Sequence, residues 1–259
     1  MAELNFQKIG KVLCKIDGGN NNNKTVSVST NDDIKIKSAF ENMHLDEGKF
    51  QQIPNFNADK DNIREILMVT GPSGSGKSTY ICNYLKEYKK QYKNNPIYLF
   101  STLKSDKSLD KMKPQRINIS ESLLEDPIVL DDLKDSICIF DDIEAIKDKK
   151  VRKYVFDLMD EIATTGRHTN TSLINANHIA TNNKDTKTML SESQVIVYFP
   201  NAGSVHGINY LLKEYVGIDK DVIKMIKKSK SRWCAIFRQY PQVIMLERDI
   251  FTLSSVDND

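Results

Sequence analysis

Gly71-Pro72-Ser73-Gly74-Ser75-Gly76-Lys77-Ser78 fits G-x-x-x-x-G-K-[ST] at every position, with an apolar run before it and a helical pattern after it. Residues of these types at this spacing cradle phosphate. The glycines let the backbone curl into a nest of N–H groups, and a helix N-terminus adds positive potential. Lys77 is expected to reach the β and γ phosphates. The Ser78 hydroxyl is expected to ligate Mg²⁺, with Thr79 supporting the phosphate shell. A nucleoside triphosphate, ATP with Mg²⁺, is the ligand this loop calls for.

Asp141-Asp142 closes the apolar run Ile137-Cys138-Ile139-Phe140. A carboxylate at that strand end is placed to hold the water shell of Mg²⁺, the role expected of Asp141. A second carboxylate directly after it can polarise an attacking water. Asp142 is therefore the candidate general base, with Glu144 in reserve; capping of the next helix is the structural alternative for Asp142. Arg167 sits in Thr164-Thr165-Gly166-Arg167-His168, between a helix and the following strand. There a guanidinium could point outward at the γ-phosphate of a neighbouring subunit. Asn177-His178 closes the next strand, where either polar side chain can touch the γ-phosphate or the lytic water.

Positioning these groups requires a sheet with helices on both faces. From residue 63 onward the sequence alternates apolar strands with helical segments, the pattern of an α/β parallel sheet. Five strands are expected in parallel: Ile66–Val69, Ile97–Phe100, Ile137–Phe140, Ser172–Ile174 and Gln194–Phe199. Ser78 to Tyr92 reads as a helix with Tyr84, Tyr88 and Tyr92 in a packing stripe. Val151 to Ile162 reads as an amphipathic helix with Val151, Tyr154, Val155, Leu158, Met159 and Ile162 on one face. A helix begun by Asp219 and a hairpin, Trp233–Phe237 with Val243–Glu247 turned at Tyr240-Pro241, end the chain.

Ahead of this core, residues 1–60 read as a small β-rich module. Alternating apolar residues run from Phe6 to Ile16 and from Thr25 to Ser38, Ile34 and Ile36 among them, joined by the loop Gly18-Gly19-Asn20-Asn21-Asn22-Asn23. Gln51 to Asp61, with Pro54, Asn57 and Asp59, reads as a linker. Residues 61–259 are assigned to one P-loop domain, and the tail Val256–Asp259 to a frayed end.

The 259 residues suffice for one large or two small domains with a core that needs no disulfide. A net charge of +2, from 37 basic and 35 acidic side chains, excludes a polybasic coating protein. Its longest apolar runs, such as Val195–Phe199, are strand-sized, and no secretory signal precedes them. Cys14, Cys82, Cys138 and Cys234 stand far apart, as buried free thiols of an intracellular protein do.

Taken together, GPSGSGKST, the strand Ile97–Phe100 with Ser101-Thr102-Leu103-Lys104 behind it, Ile139-Phe140-Asp141-Asp142, Gly166-Arg167-His168 and Phe199-Pro200-Asn201 resemble the viral genome-packaging ATPases of the FtsK–HerA superfamily, the poxvirus-type group. The resemblance spans roughly residues 65–250. It implies a RecA-like P-loop NTPase core and a homo-oligomeric ring, pentamer or hexamer. It also implies a trans-acting Arg167 and pumping of double-stranded DNA into a viral capsid, in the virion or the host-cell cytoplasm. Relatives usually carry Gln or Ser-His at the sensor strand end, where this chain has Asn175-Ala176-Asn177-His178; the sensor stays open between Asn177 and His178.

The competing reading is a P-loop nucleotide or nucleoside kinase, but the arginine-rich lid such an enzyme needs is missing: only Arg232, Arg238 and Arg248 lie beyond Arg167. Leu190-Ser191-Glu192-Ser193-Gln194, similar to an ABC-transporter signature, follows the acidic strand instead of preceding it, which discards that class. Basic clusters at Lys147–Lys153 and Lys224–Arg232 are candidate DNA-phosphate contacts, set against a plain solvated helix face.

Overall fold

The computed structural model describes residues 3–30, 36–56, 64–178, 183–202 and 204–253. Ile34, the linker residues Asn57, Asp59 and Asp61, and the tail Val256–Asp259 lie outside the described residues. The chain begins with strands β1 (Glu3–Asn5), β2 (Lys11–Asp17), β3 (Thr25–Ser29), β4 (Asn42–His44) and β5 (Lys49–Gln52). Next come β6 (Ile66–Thr70), α1 (Lys77–Gln91), β7 (Ile97–Ser101), β8 (Gln115–Asn118), α2 (Ser122–Glu125) and β9 (Ile137–Asp141). They are followed by α3 (Lys149–Thr165), β10 (Ser172–Asn177), α4 (Asn183–Glu192) and β11 (Val195–Tyr198). The chain closes with α5 (Val205–Tyr210), a π-helical turn at Leu211–Val216, α6 (Lys220–Lys228), β12 (Cys234–Phe237), β13 (Val243–Leu246) and β14 (Asp249–Thr252). It divides into two compact units, residues 60–194 and residues 1–59 with 195–259.

Unit 60–194 is the α/β core. Its strands run in the order β6-β10-β9-β7-β8, all parallel. Every residue of β6, β9 and β10 is buried, which is why β6 and β9 read as near-continuous apolar runs and not as alternations; β10 buries the polar Ser172, Asn175 and Asn177 as well. Phe100 and Phe140 stack across β7 and β9 with ring centroids 4.5 Å apart, both fully buried. Tyr84 and Tyr88 are buried as a packing stripe should be, and Tyr92 leans on Tyr88 at 4.9 Å. Buried Tyr84 also donates to the Glu65 carboxylate at 2.6 Å. Of the six positions expected in the α3 stripe, Val151, Val155, Leu158, Met159 and Ile162 are buried, while Tyr154 is half-buried with its hydroxyl donating to the Ile128 carbonyl at 2.8 Å.

The core holds one strand that the sequence reading does not include. The fifth parallel strand is β8, a polar segment that pairs with β7 alone and so needs no apolar run. β11 pairs antiparallel with β12.

Unit 1–59 with 195–259 holds two antiparallel arrangements, β1-β3-β2-β5 and β4-β14-β13-β12-β11. The expected strand from Phe6 to Ile16 begins only at Lys11. Gly10 takes φ +80°, and a Cβ there would lie 2.2 Å from the Val28 carbonyl oxygen. The Asn-rich loop closes β2 onto β3, with Asn22 Oδ1 accepting from the Gly18 N–H at 2.9 Å. The C-terminal hairpin forms as β12 and β13, and a further strand, β14, joins it to β4. That pairing groups residues 195–259 with the N-terminal strands, whereas the sequence reading kept 61–259 together. All four cysteines are buried and free. Among the described residues no helix is long and apolar enough to cross a membrane.

Candidate active site

Every expected site residue falls in unit 60–194, and most gather around one cavity of about 330 Å³. Ser73, Gly74, Gly76, Lys77, Ser78, Thr79, Asp141, Asp142 and His178 line it. Parallel pairing explains the meeting: β6, β9 and β10 end side by side, so the residues that follow them emerge at one edge. The phosphate loop leaves β6 there, anchored by the Gly71 N–H donating to the Asn177 carbonyl at 3.1 Å. Gly74 and Gly76 take φ +77° and +110°, a curl that other residues resist, and α1 starts at Lys77 itself. Pro72 and Ser75 complete the loop, the Ser75 N–H donating to the Pro72 carbonyl at 3.2 Å.

Lys77 is buried at 7 % exposure, and its ammonium donates to the Gly71 carbonyl at 2.7 Å. Burial lowers its pKa, opposed by the nearby charges of Asp142, Asp141 and Glu144. Asp141 is buried too, and burial first, then Asp142 and Asp106, push its carboxyl up to about 7 against the pull of Lys77 and His178. A buried acid so poorly compensated, lining the same cavity as Ser78, is chemically suited to a hard divalent cation. Among the described residues no set of three His, Cys, Asp or Glu side chains gathers as a self-sufficient metal site.

Asp142 makes no side-chain cap bond at the start of the 3₁₀ turn Ile143–Ala145, the alternative role considered for it. Its Oδ1 instead meets His178 Nε2 at 2.5 Å, while His178 Nδ1 lies 3.5 Å from Lys77 Nζ. Glu144 Oε1 accepts the His178 backbone N–H at 3.1 Å, and Glu144 Oε2 is buried with no partner among the described residues. Asn177 is 2 % exposed, and among the described residues neither its Oδ1 nor its Nδ2 has a hydrogen-bond partner. Of the two sensor candidates, His178 lines the cavity and Asn177 is a buried, unsatisfied amide behind it.

Arg167 is not brought to this cavity. It is exposed in the turn before β10, at the strand end opposite Asn177. Its neighbour is Arg64, whose guanidinium donates to the Ile162 and Ala163 carbonyls at 2.6 and 2.5 Å and to the Thr171 carbonyl at 3.2 Å. Burial lowers the Arg64 pKa; Glu192 opposes this and Arg167 adds to it. Arg64 thus pins the turn that carries Arg167, a bracing role no motif announced.

Sequence reading also missed most of one wall of the cavity, Asp106, Lys107 and Ser108 from the loop after β7; Leu103 of the same wall belongs to the Ser101–Lys104 segment that carries the resemblance. Of the basic clusters, Arg152 donates to the Glu144 carbonyl at 2.8 Å and Lys153 pairs with Asp157 at 2.6 Å. In the other unit Lys224 pairs with Asp221 and Arg232 with Glu247, each at 2.8 Å.

No family model matches the chain. It is 37 % identical over 255 residues to the uncharacterized protein V3 of Sputnik virophage, a match covering 98 % of this chain and 100 % of that one. Among solved structures it is similar to B204, the DNA-packaging ATPase from Sulfolobus turreted icosahedral virus, with a TM-score of 0.50 and 17 % identity, covering 74 % of this chain and 98 % of that one. The cytoplasmic domain of the type VII secretion ATPase EccC of Thermomonospora curvata is also similar, with a TM-score of 0.53 and 13 % identity over 81 % of this chain and 28 % of that one. These likenesses establish the fold as the RecA-like P-loop ATPase fold.

Proposed function

The chain belongs to the family of the Sputnik virophage protein V3, and from that premise we propose that it is an ATP-driven motor that translocates double-stranded DNA into a viral capsid. The observation that carries this reading is the single cavity in which a complete phosphate loop faces two adjacent carboxylates at the end of β9. The fold held in common with a DNA-packaging ATPase supports the same direction.

The backbone N–H groups of Gly71–Ser78 and the start of α1 bind the phosphates, and Lys77 compensates their charge. Mg²⁺, held by Ser78 and Asp141, supplies further charge neutralisation at the phosphates when bound. Asp142, released from His178, takes the proton of the attacking water, with Glu144 as the alternative base. Asn177 or His178 registers whether a γ-phosphate is present. Arg167, too far from its own site, acts at the site of the next subunit in a ring, the second place where transition-state charge is offset. Residues 1–60 make the docking module for the capsid vertex or extend the sheet.

Steady-state phosphate release from ATP, with and without double-stranded DNA and beside a test of nucleoside phosphorylation, checks the reading. Mg²⁺-dependent hydrolysis stimulated by DNA supports a motor. Phosphoryl transfer to a nucleoside would replace it with a kinase.

A further inference from the structure

Lys107 lines the phosphate cavity together with Lys77, and neither the phosphate-loop motif nor the paired carboxylates accounts for it. Its loop leaves β7 at Ser101, the residue paired with Asp141 in the parallel register, so the chain turns out of the sheet directly beside the acidic end of the cavity. The Asp106 carboxylate bears on Asp141, which puts this loop on the same side as the acids.

The loop is braced on both sides of Lys107. Asp106 Oδ1 accepts from the Ser108 and Leu109 N–H groups at 2.7 Å each, and the Asp106 N–H donates to Asp110 Oδ2 at 2.8 Å. Arg116 grips Asp110 Oδ1 at 2.6 and 3.2 Å and donates to the Leu103 carbonyl at 2.9 Å. Leu109, fully buried, anchors the 3₁₀ turn Leu109–Met112 against α1. The Lys107 ammonium is itself exposed and makes no hydrogen bond or ion pair among the described residues. A braced backbone that presents an uncommitted ammonium at this cavity leaves a positive charge for an anionic guest to pair with.

We propose that Lys107 is a second phosphate-binding cation of this site, supplied by the same chain and directed at the γ-phosphate of bound ATP. The proposal rests on the ATPase reading above. A lysine that meets only the terminal phosphate discriminates ATP from ADP, because ADP leaves it unpaired.

The experiment measures equilibrium binding of the β,γ-methylene analogue of ATP and of ADP, with steady-state hydrolysis, for the full chain and its Lys107→Ala, Lys107→Arg, Lys104→Ala and Lys77→Ala variants. Lys107→Ala is expected to weaken the triphosphate analogue about tenfold relative to ADP, the loss of one charge-assisted contact. Lys107→Arg should restore most of that preference, and Lys104→Ala, an exposed neighbour outside the cavity, should not disturb it. An unchanged triphosphate-to-diphosphate ratio in Lys107→Ala, while Lys77→Ala abolishes hydrolysis, overturns the proposal and leaves the ATPase reading standing. Hydrolysis by Lys77→Ala at the wild-type rate overturns both.

Discussion

Replacing Arg167 by Ala separates a ring motor from a self-sufficient ATPase. The side chain is exposed in the turn ahead of β10, so its removal should leave the fold and nucleotide binding intact. Between that turn and the cavity runs the whole of β10, Ser172 to Asn177, roughly 17 Å at about 3.3 Å per residue and beyond the reach of any side chain. On the ring reading proposed above, any direct contribution of Arg167 to hydrolysis is made at the site of a neighbouring chain. An arginine supplied in this way is worth about 10³–10⁵ in rate, and Arg167→Ala alone should lose that much. Mixing then tests where it acts. A Lys77→Ala chain lacks a working site but keeps Arg167, and an Arg167→Ala chain has the reverse defect. In a ring with head-to-tail contacts, equal amounts give about one junction in four where an intact site meets an intact arginine. Phosphate release should recover to at most about a quarter of the wild-type level from two inactive proteins, provided that sites fire independently. Near-wild-type turnover by Arg167→Ala alone, or full turnover by a strictly monomeric preparation, would refute the trans assignment.

Lys77→Ala should reduce hydrolysis by about 10²–10³ or more, read as steady-state phosphate release, because no other side chain of the phosphate loop brings a positive charge. Asp142→Asn should retain the β,γ-methylene analogue of ATP yet lose about 10²–10⁴ in turnover; wild-type turnover would move the base to Glu144. Phe140→Ala, which empties the stacked pair beneath Asp141, should cost about 3–5 kcal/mol in urea unfolding. Tyr84→Phe strips the Glu65 carboxylate of its hydroxyl donor in a buried setting and should cost about 1.5–3 kcal/mol, with little effect on nucleotide binding.

What was legible in the sequence is what is local in the chain. The phosphate loop is eight consecutive residues whose strand and helix flanks follow directly, so its nest could be read without knowing any neighbour. Asp141 was legible because an apolar run ending in two acids locates a strand end. The loop holding Lys107 carries no such signature. It reaches the cavity because β7 lies next to β9 in register, Ser101 opposite Asp141, and strand order is not written in any window of residues. The same limit explains β8 and β14: an edge strand of Gln-Arg-Ile-Asn and a strand of Asp-Ile-Phe-Thr acquire their identity from the partners they meet, β7 on one side and β13 with β4 on the other. Arg167 shows how strand direction adds what a motif lacks. A residue between a helix and the next parallel strand enters at the strand's N-terminal end, while phosphate loops and acids leave from C-terminal ends. The parallel register alone therefore separates Arg167 from the cavity of its own chain.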